Sequence, residues 1–183
     1  MQSLHAYRKL LNKNRDRIKK IHDDGGSGFV VCALLSLLID RFILHIADTV
    51  CHEKKSGHGF AIAALGGYGR NELNPYSDID LLFLVANDPA PETENEISVI
   101  IQFLWDLNLD IGHSTRTHDQ CIEAAGEDIT LATSLLEGRY LTGNRDLWNG
   151  FEDTFYGSLR DCAGKNLAMQ KIEERNARLK SYD

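Results

Sequence analysis

Cysteine is scarce in this 183-residue chain, and the four present, Cys32, Cys51, Cys121 and Cys162, form no CxxC pair. That spacing points to neither a disulfide framework nor a zinc ribbon and suits free thiols in a reducing compartment. Cys51, His52 and His58 lie near one another, but a helix end and a polar turn account for them without a metal. Positive charge is also short, with a formal net charge of −7. Broad binding to nucleic-acid backbones usually relies on basic surface, so the charge argues against that class. It does not argue against a single nucleotide, because a metal ion reverses the local sign inside a pocket. No apolar run is long enough to span a bilayer, since FVVCALLSLLI at 29–39 meets Asp40 and Arg41 at once. The opening MQSLHAYRKLLNKNRDRIKK lacks an apolar signal core, and internal repeats are missing. A cytoplasmic globular protein with no membrane and no nucleic-acid partner is the expectation.

The 43% hydrophobic and 26% charged content is ordinary for a globular chain and can support one sizeable core. A basic helix is predicted over 3–22, ended by HDDGGSG, and a long one over 28–53. In the second, Leu35, Ile39, Phe42, Ile46 and Val50 recur at steps of three and four, marking one apolar stripe. FAIAAL at 60–65 and DLLFLV at 80–85 read as neighbouring buried strands. NDPAPET reads as a loop, followed by a helix carrying Ile97, Ile100, Ile101, Leu104 and Leu107. LDIGHSTRT at 109–117 reads as a third strand. From 118 onward only helices are predicted, with Ala132, Leu135, Leu136 and Tyr140 inward, Gly143 stopping one helix and Asn144 capping the next. The organisation is an N-terminal helical segment (1–58), an α/β core (59–120) and a C-terminal helical segment (121–183). The class is α+β, a small mixed sheet framed by helices.

The chemistry concentrates in GGYGRNELNPYSDIDLLFLV, residues 66–85. Asp78 and Asp80 stand at i and i+2, so on a strand both carboxylates share one face while Ile79 and Leu81 face the core. Two like charges at a strand mouth need water or a cation to compensate them. Magnesium, which takes a few carboxylate oxygens plus waters and phosphates, fits that bed. Gly66 and Gly67 let the backbone approach a ligand closely, and YGRNEL is expected to form a short helix directed at a phosphate, with Arg70 beside it.

Strand, glycine pair, eleven positions from Gly67 to Asp78, and strand together resemble the hG[GS]…DhDh pattern of the polymerase-β-type nucleotidyltransferase superfamily. The resemblance implies that fold and a third carboxylate from an adjacent strand. Asp110, opening the third predicted strand, is chosen over Asp106, which sits near a helix end. His113 and Arg116 lie farther along and could touch nucleotide or target, or be structural.

GGYGRNELNPYSDIDLLFL, FLWDLNLDIGHSTRT and LATSLLEGRYLTGNRDLW together are similar to the N-terminal domain of the bacterial PII-protein uridylyltransferase/uridylyl-removing enzymes, over about residues 60–150. The family implies transfer of UMP from UTP to a tyrosine of the PII nitrogen-regulatory protein. By that resemblance Asp78, Asp80 and Asp110 would be catalytic and hold two magnesium ions, Asp110 taking the proton of the attacking hydroxyl. Gly66, Gly67, Arg70 and Ser77 would position the nucleotide. The family continues into an HD-type phosphohydrolase and ACT domains, so a piece of a longer multidomain protein is expected. His22-Asp23 and His118-Asp119 look like an HD motif but lack plausible partner ligands. The rival functions are adenylyl or nucleotidyl transfer to another protein or a small molecule, and a non-catalytic nucleotide-binding module.

Overall fold

The structure is a computed structural model that describes residues 4–51 and 59–162. His52, His58 and the charged tail from 163 lie outside the described residues. The elements are α1 (Leu4–Asp23), α2 (Gly28–Cys51), β1 (Phe60–Ala64), α3 (Gly66–Gly69), β2 (Ile79–Val85), α4 (Pro91–Asp106), β3 (Ile111–Arg116), α5 (His118–Glu127), α6 (Ile129–Leu136), β4 (Arg139–Gly143) and α7 (Arg145–Cys162). The class is α+β, as expected from the sequence.

The strands form one mixed sheet in the order β3-β2-β1-β4. β1 runs antiparallel to both β2 and β4, while β2 and β3 are parallel. Every residue of β1 is buried, and so is β2 from Leu81 to Val85, because helices cover both faces. On one face Ile62, Leu81 and Phe83 pack with Leu35, Ile39, Phe42 and Ile46 of α2, Leu11 of α1 and Ile100 and Leu104 of α4. On the other, Ala61, Ala63, Leu82 and Leu84 pack with Cys121, Leu135, Trp148, Phe151 and Phe155. By length and composition α2 is apolar enough to cross a membrane. Here its predicted stripe is the spine of the first core, and Asp40 at its middle is ion-paired to Arg139 at 2.9 Å.

Two sequence expectations need correction. Residues 139–143 were expected in a helix, yet they form β4, an edge strand on β1 with a register shift between Ile62 and Ala63. Only Leu141 is buried there, so RYLTG carries no strand alternation, and Tyr140 merely completes a helix-like spacing after Leu135 and Leu136. Gly143 therefore ends a strand; Asn144 does cap α7, accepting the Leu147 amide at 3.0 Å. Pro91 was expected in a loop, but it begins α4, where its fixed φ and missing N–H cost nothing and Glu92 and Glu94 favour the first turn.

Candidate nucleotide site

Burial along β2 explains why its two aspartates are available. Ile79 is buried, Asp80 is exposed, and the next five residues are all buried. Asp78 precedes the strand by one residue and is exposed. Both line a cavity of about 730 Å³, together with Gly67, Tyr68, Arg70, Glu72, Asn74 and Ser77, and with Gly28, Phe29 and Cys32 from the start of α2. Partial burial, and then the charge of Asp78, push the Asp80 carboxyl above the ordinary carboxylate range. Among the described residues neither carboxylate has a cationic partner. This is an uncompensated anionic pair at a cavity mouth.

The glycine turn sits beside it. Gly66 has a φ of +55°, which a side-chain-bearing residue adopts only with strain. The single turn α3 starts at this residue, two positions earlier than YGRNEL had suggested. Gly67 faces the cavity: a Cβ there would meet nothing nearer than the Glu72 carbonyl oxygen at 3.6 Å. Arg70 lines the cavity while held by Glu72 at 2.8 Å and by Glu137. Ser77 lines it too, its hydroxyl donating to the Asn74 carbonyl at 3.2 Å.

Asp110 lies one residue before β3, and its carbonyl oxygen accepts the Ile79 amide at 2.9 Å. Parallel pairing of Ile79 with Ile111 puts it across from Asp78, but its exposed side chain does not line the cavity. Among the described residues no three His, Cys, Asp or Glu side chains are gathered closely enough to hold a metal as a set. The structure thus brings Asp78 and Asp80 together and leaves Asp110 beside them. Asp106 ends α4 with its carboxylate on Gln102 at 3.3 Å. His113 packs edge-on to Trp105 and Arg116 shares the sheet face of Asp80, and both border a smaller cavity that Asp80 also lines. His118 is structural, its ring nitrogen 2.9 Å from the Leu147 carbonyl oxygen, and Asp23 pairs with Lys19 at 2.6 Å.

Several contributors were not anticipated. Gly112 stands opposite Asp80, and a Cβ on it would lie 2.4 Å from the Asp80 Oδ1, so only glycine leaves room for that carboxylate. The glycine turn is clamped from behind by the SLLEGR segment. Arg139 donates to the carbonyls of Gly69 (3.2 Å) and Tyr68 (3.3 Å) and to both carboxylate oxygens of Asp40 (2.9 and 3.1 Å). The Tyr68 hydroxyl donates to Asp40 at 2.6 Å, and burial followed by that negative charge pushes its phenol well above its usual range. The segment was visible in sequence as a distinctive block; its task was not.

A family profile described as "Nucleotidyltransferase domain" matches residues 45–124. Proteins named bifunctional uridylyltransferase/uridylyl-removing enzyme match most of the chain. That of Novosphingobium aromaticivorans is 38% identical over 85% of this chain and 17% of its own length. That of Azospirillum brasilense is 37% identical over 93% of this chain and 19% of its own, and that of Caulobacter vibrioides 33% over 97% and 20%. The chain therefore spans about a fifth of the length of these curated relatives. Among solved structures, a toxin–antitoxin crystal structure with AMP-PNP is 14% identical, with a TM-score of 0.38 over 75% of this chain and 96% of that one, a likeness too distant to argue from.

Proposed function

The chain belongs to the nucleotidyltransferase family, and from that premise we propose that it transfers UMP from UTP to a tyrosine of the PII protein in a magnesium-dependent reaction. The observation that carries the transfer chemistry is the Asp78–Asp80 pair sharing with Gly67 a cavity of about 730 Å³, a size suited to a nucleoside triphosphate. Support for the uridylyl group comes from the names of the relatives, and for PII from the resemblance of the quoted motifs.

Whether a cation suits this donor set can be judged from the charges. The cavity presents Glu72, Asp78 and Asp80 against Arg70, and Arg70 is already paired, so a triphosphate would meet net repulsion. Two oxygen-donor carboxylates without a partner fit a hard divalent ion, and Asp78 and Asp80 would hold it. When bound, magnesium supplies the positive charge that offsets the triphosphate and favours loss of a proton from the attacking hydroxyl. Gly67 leaves room for the phosphates, Arg70 adds a donor at their flank, and Ser77 borders the same space. Asp110, beside Asp78, is our choice for the third carboxylate and the acceptor of the phenolic proton. The phenolic oxygen bonds to the α-phosphorus as the bond to the bridging oxygen breaks, and pyrophosphate leaves with that electron pair.

Labelled UMP incorporation into PII, with each nucleoside triphosphate and with or without magnesium, tests the reading. Asp80→Asn should lower transfer at least about a hundredfold while the fold persists. Asp110→Asn should also fail, with Asp106→Asn unaffected. Full turnover in Asp80→Asn overturns the assignment, and preference for ATP redirects it to adenylyl transfer.

A further inference from the structure

A second cavity, of about 300 Å³, opens on the other side of Asp80. It is walled by Ser114 and Arg116 of β3, by Asp128 at the start of α6, and by Thr130 and Ser134 on that helix. Asp80 lines both cavities. The partition is thin. The Cβ position of Gly66 lies 3.5 Å from the Ser134 Oγ and 3.7 Å from the Asp80 Oδ2, while the missing Cβ of Gly112 frees the space around Oδ1. Register places Ser114 and Arg116 on the face of Asp80.

We propose that this second cavity is the acceptor subsite, taking a hydroxyl-bearing side chain from an exposed segment of a partner protein. The inference rests on the nucleotidyl-transfer reading above. Displacement at phosphorus needs the attacking and leaving oxygens roughly in line, so nucleotide and acceptor must reach the reacting centre from different sides. The larger cavity, with its glycine turn and Arg70, is the nucleotide side. The smaller has less than half that volume, room for one side chain and not for a nucleoside triphosphate. Its lining mixes apolar walls from Leu65, Leu81 and Leu131 with the polar groups named above, and Arg116 among them has an unused donor: its Nε is buried and has no hydrogen-bond partner among the described residues. A buried guanidinium nitrogen left this way is costly unless something binds it. An incoming segment with a carboxylate or a backbone carbonyl beside its hydroxyl residue would pair with the Arg116 guanidinium on the cavity wall and let that side chain settle around it. As the phenolic oxygen bonds to the α-phosphorus and pyrophosphate departs, the acceptor proton passes to a carboxylate of the site, which balances the step.

The full chain, two variants of this cavity and one of the larger decide this, titrated separately with an α,β-imido analogue of UTP plus magnesium and with purified PII. Thr130 is exposed at the rim, so Thr130→Trp narrows the cavity without disturbing the core. Arg116→Gln removes the charge that lines it. In both, PII affinity should fall about tenfold or more while analogue affinity stays within about twofold. Phe29→Ala, on the wall of the larger cavity, should do the reverse. Unchanged PII affinity in both variants, a loss confined to the analogue, or no PII binding by the unaltered chain overturns the proposal. An unaltered chain that binds both probes but transfers no UMP refutes the proposed reaction instead and leaves the assignment of the cavity standing on the variants.

Discussion

Gly67 separates a demand of the fold from a demand of the ligand. An added methyl would have the Glu72 carbonyl oxygen at 3.6 Å and Arg70 Nη2 at 3.9 Å as its nearest neighbours, ordinary contact distances. The protein itself therefore tolerates alanine there, and lower unfolded-state entropy could add up to about 1 kcal/mol of stability. Gly67→Ala should melt no lower than the parent, yet bind UTP analogues about tenfold more weakly, as calorimetry would read. Equal affinity would mean no phosphate passes close to this backbone. Asp80 makes the complementary case through pH. Its folded pKa lies above the ordinary value, so between the two the folded chain keeps a proton that the unfolded chain has lost. Stability falls as pH rises through that window and stays lower above it. Asp80→Asn should then raise the melting temperature at pH 7, a gain that vanishes under acid conditions below the ordinary carboxylate pKa. Both residues were legible in the sequence because Gly-Gly and Asp-Ile-Asp are local patterns. Gly112 was not, since its reason for being glycine is a carboxylate on the neighbouring strand.

β4 shows where local reading stops. Edge strands bury little, so RYLTG shows no alternation to detect, and its strand character comes from pairing with β1. The same strand carries Arg139, which joins α2, α3 and β4 through Asp40, Tyr68 and Gly69. The long buried helix and the two central strands were readable from periodicity; this junction spans 99 positions between Asp40 and Arg139 and has no local signature. Removing the guanidinium leaves Asp40 partly buried without its ion-pair partner, a loss of about 2–4 kcal/mol. Arg139→Met should therefore lower the melting temperature by roughly 5–12 °C by calorimetry. Adding Asp40→Asn should restore part of it, because the stranded charge disappears. The double variant should still bind UTP more weakly than the parent, since the Gly69 carbonyl would lose its guanidinium donor and the Tyr68 carbonyl would keep only backbone amides, that of Asn71 among them. Full recovery of nucleotide affinity would show that Arg139 serves stability alone.

The chain as a whole carries net negative charge, −7, and gathers three carboxylates against one paired arginine where its ligand is proposed to bind. Under the proposed function, that combination would make nucleotide and magnesium obligate companions. Either one alone meets an incomplete site: UTP faces like charge, and magnesium finds two carboxylates with no phosphates to complete its shell. Bound together, each supplies what the other lacks. Thermal unfolding exposes this directly, because a ligand bound only to the folded state stabilises it in proportion to the logarithm of its saturation. At a concentration near a hundred times the dissociation constant the gain is about 2.7 kcal/mol, or roughly 5–11 °C for a chain of this size. UTP with magnesium should give that shift, whereas UTP with chelator and magnesium without nucleotide should each give less than about a third of it. Asp78→Asn and Asp80→Asn should abolish the combined shift. A full shift from UTP in the presence of chelator would mean that the phosphates find their positive charge in the protein, and the two aspartates would then need another purpose.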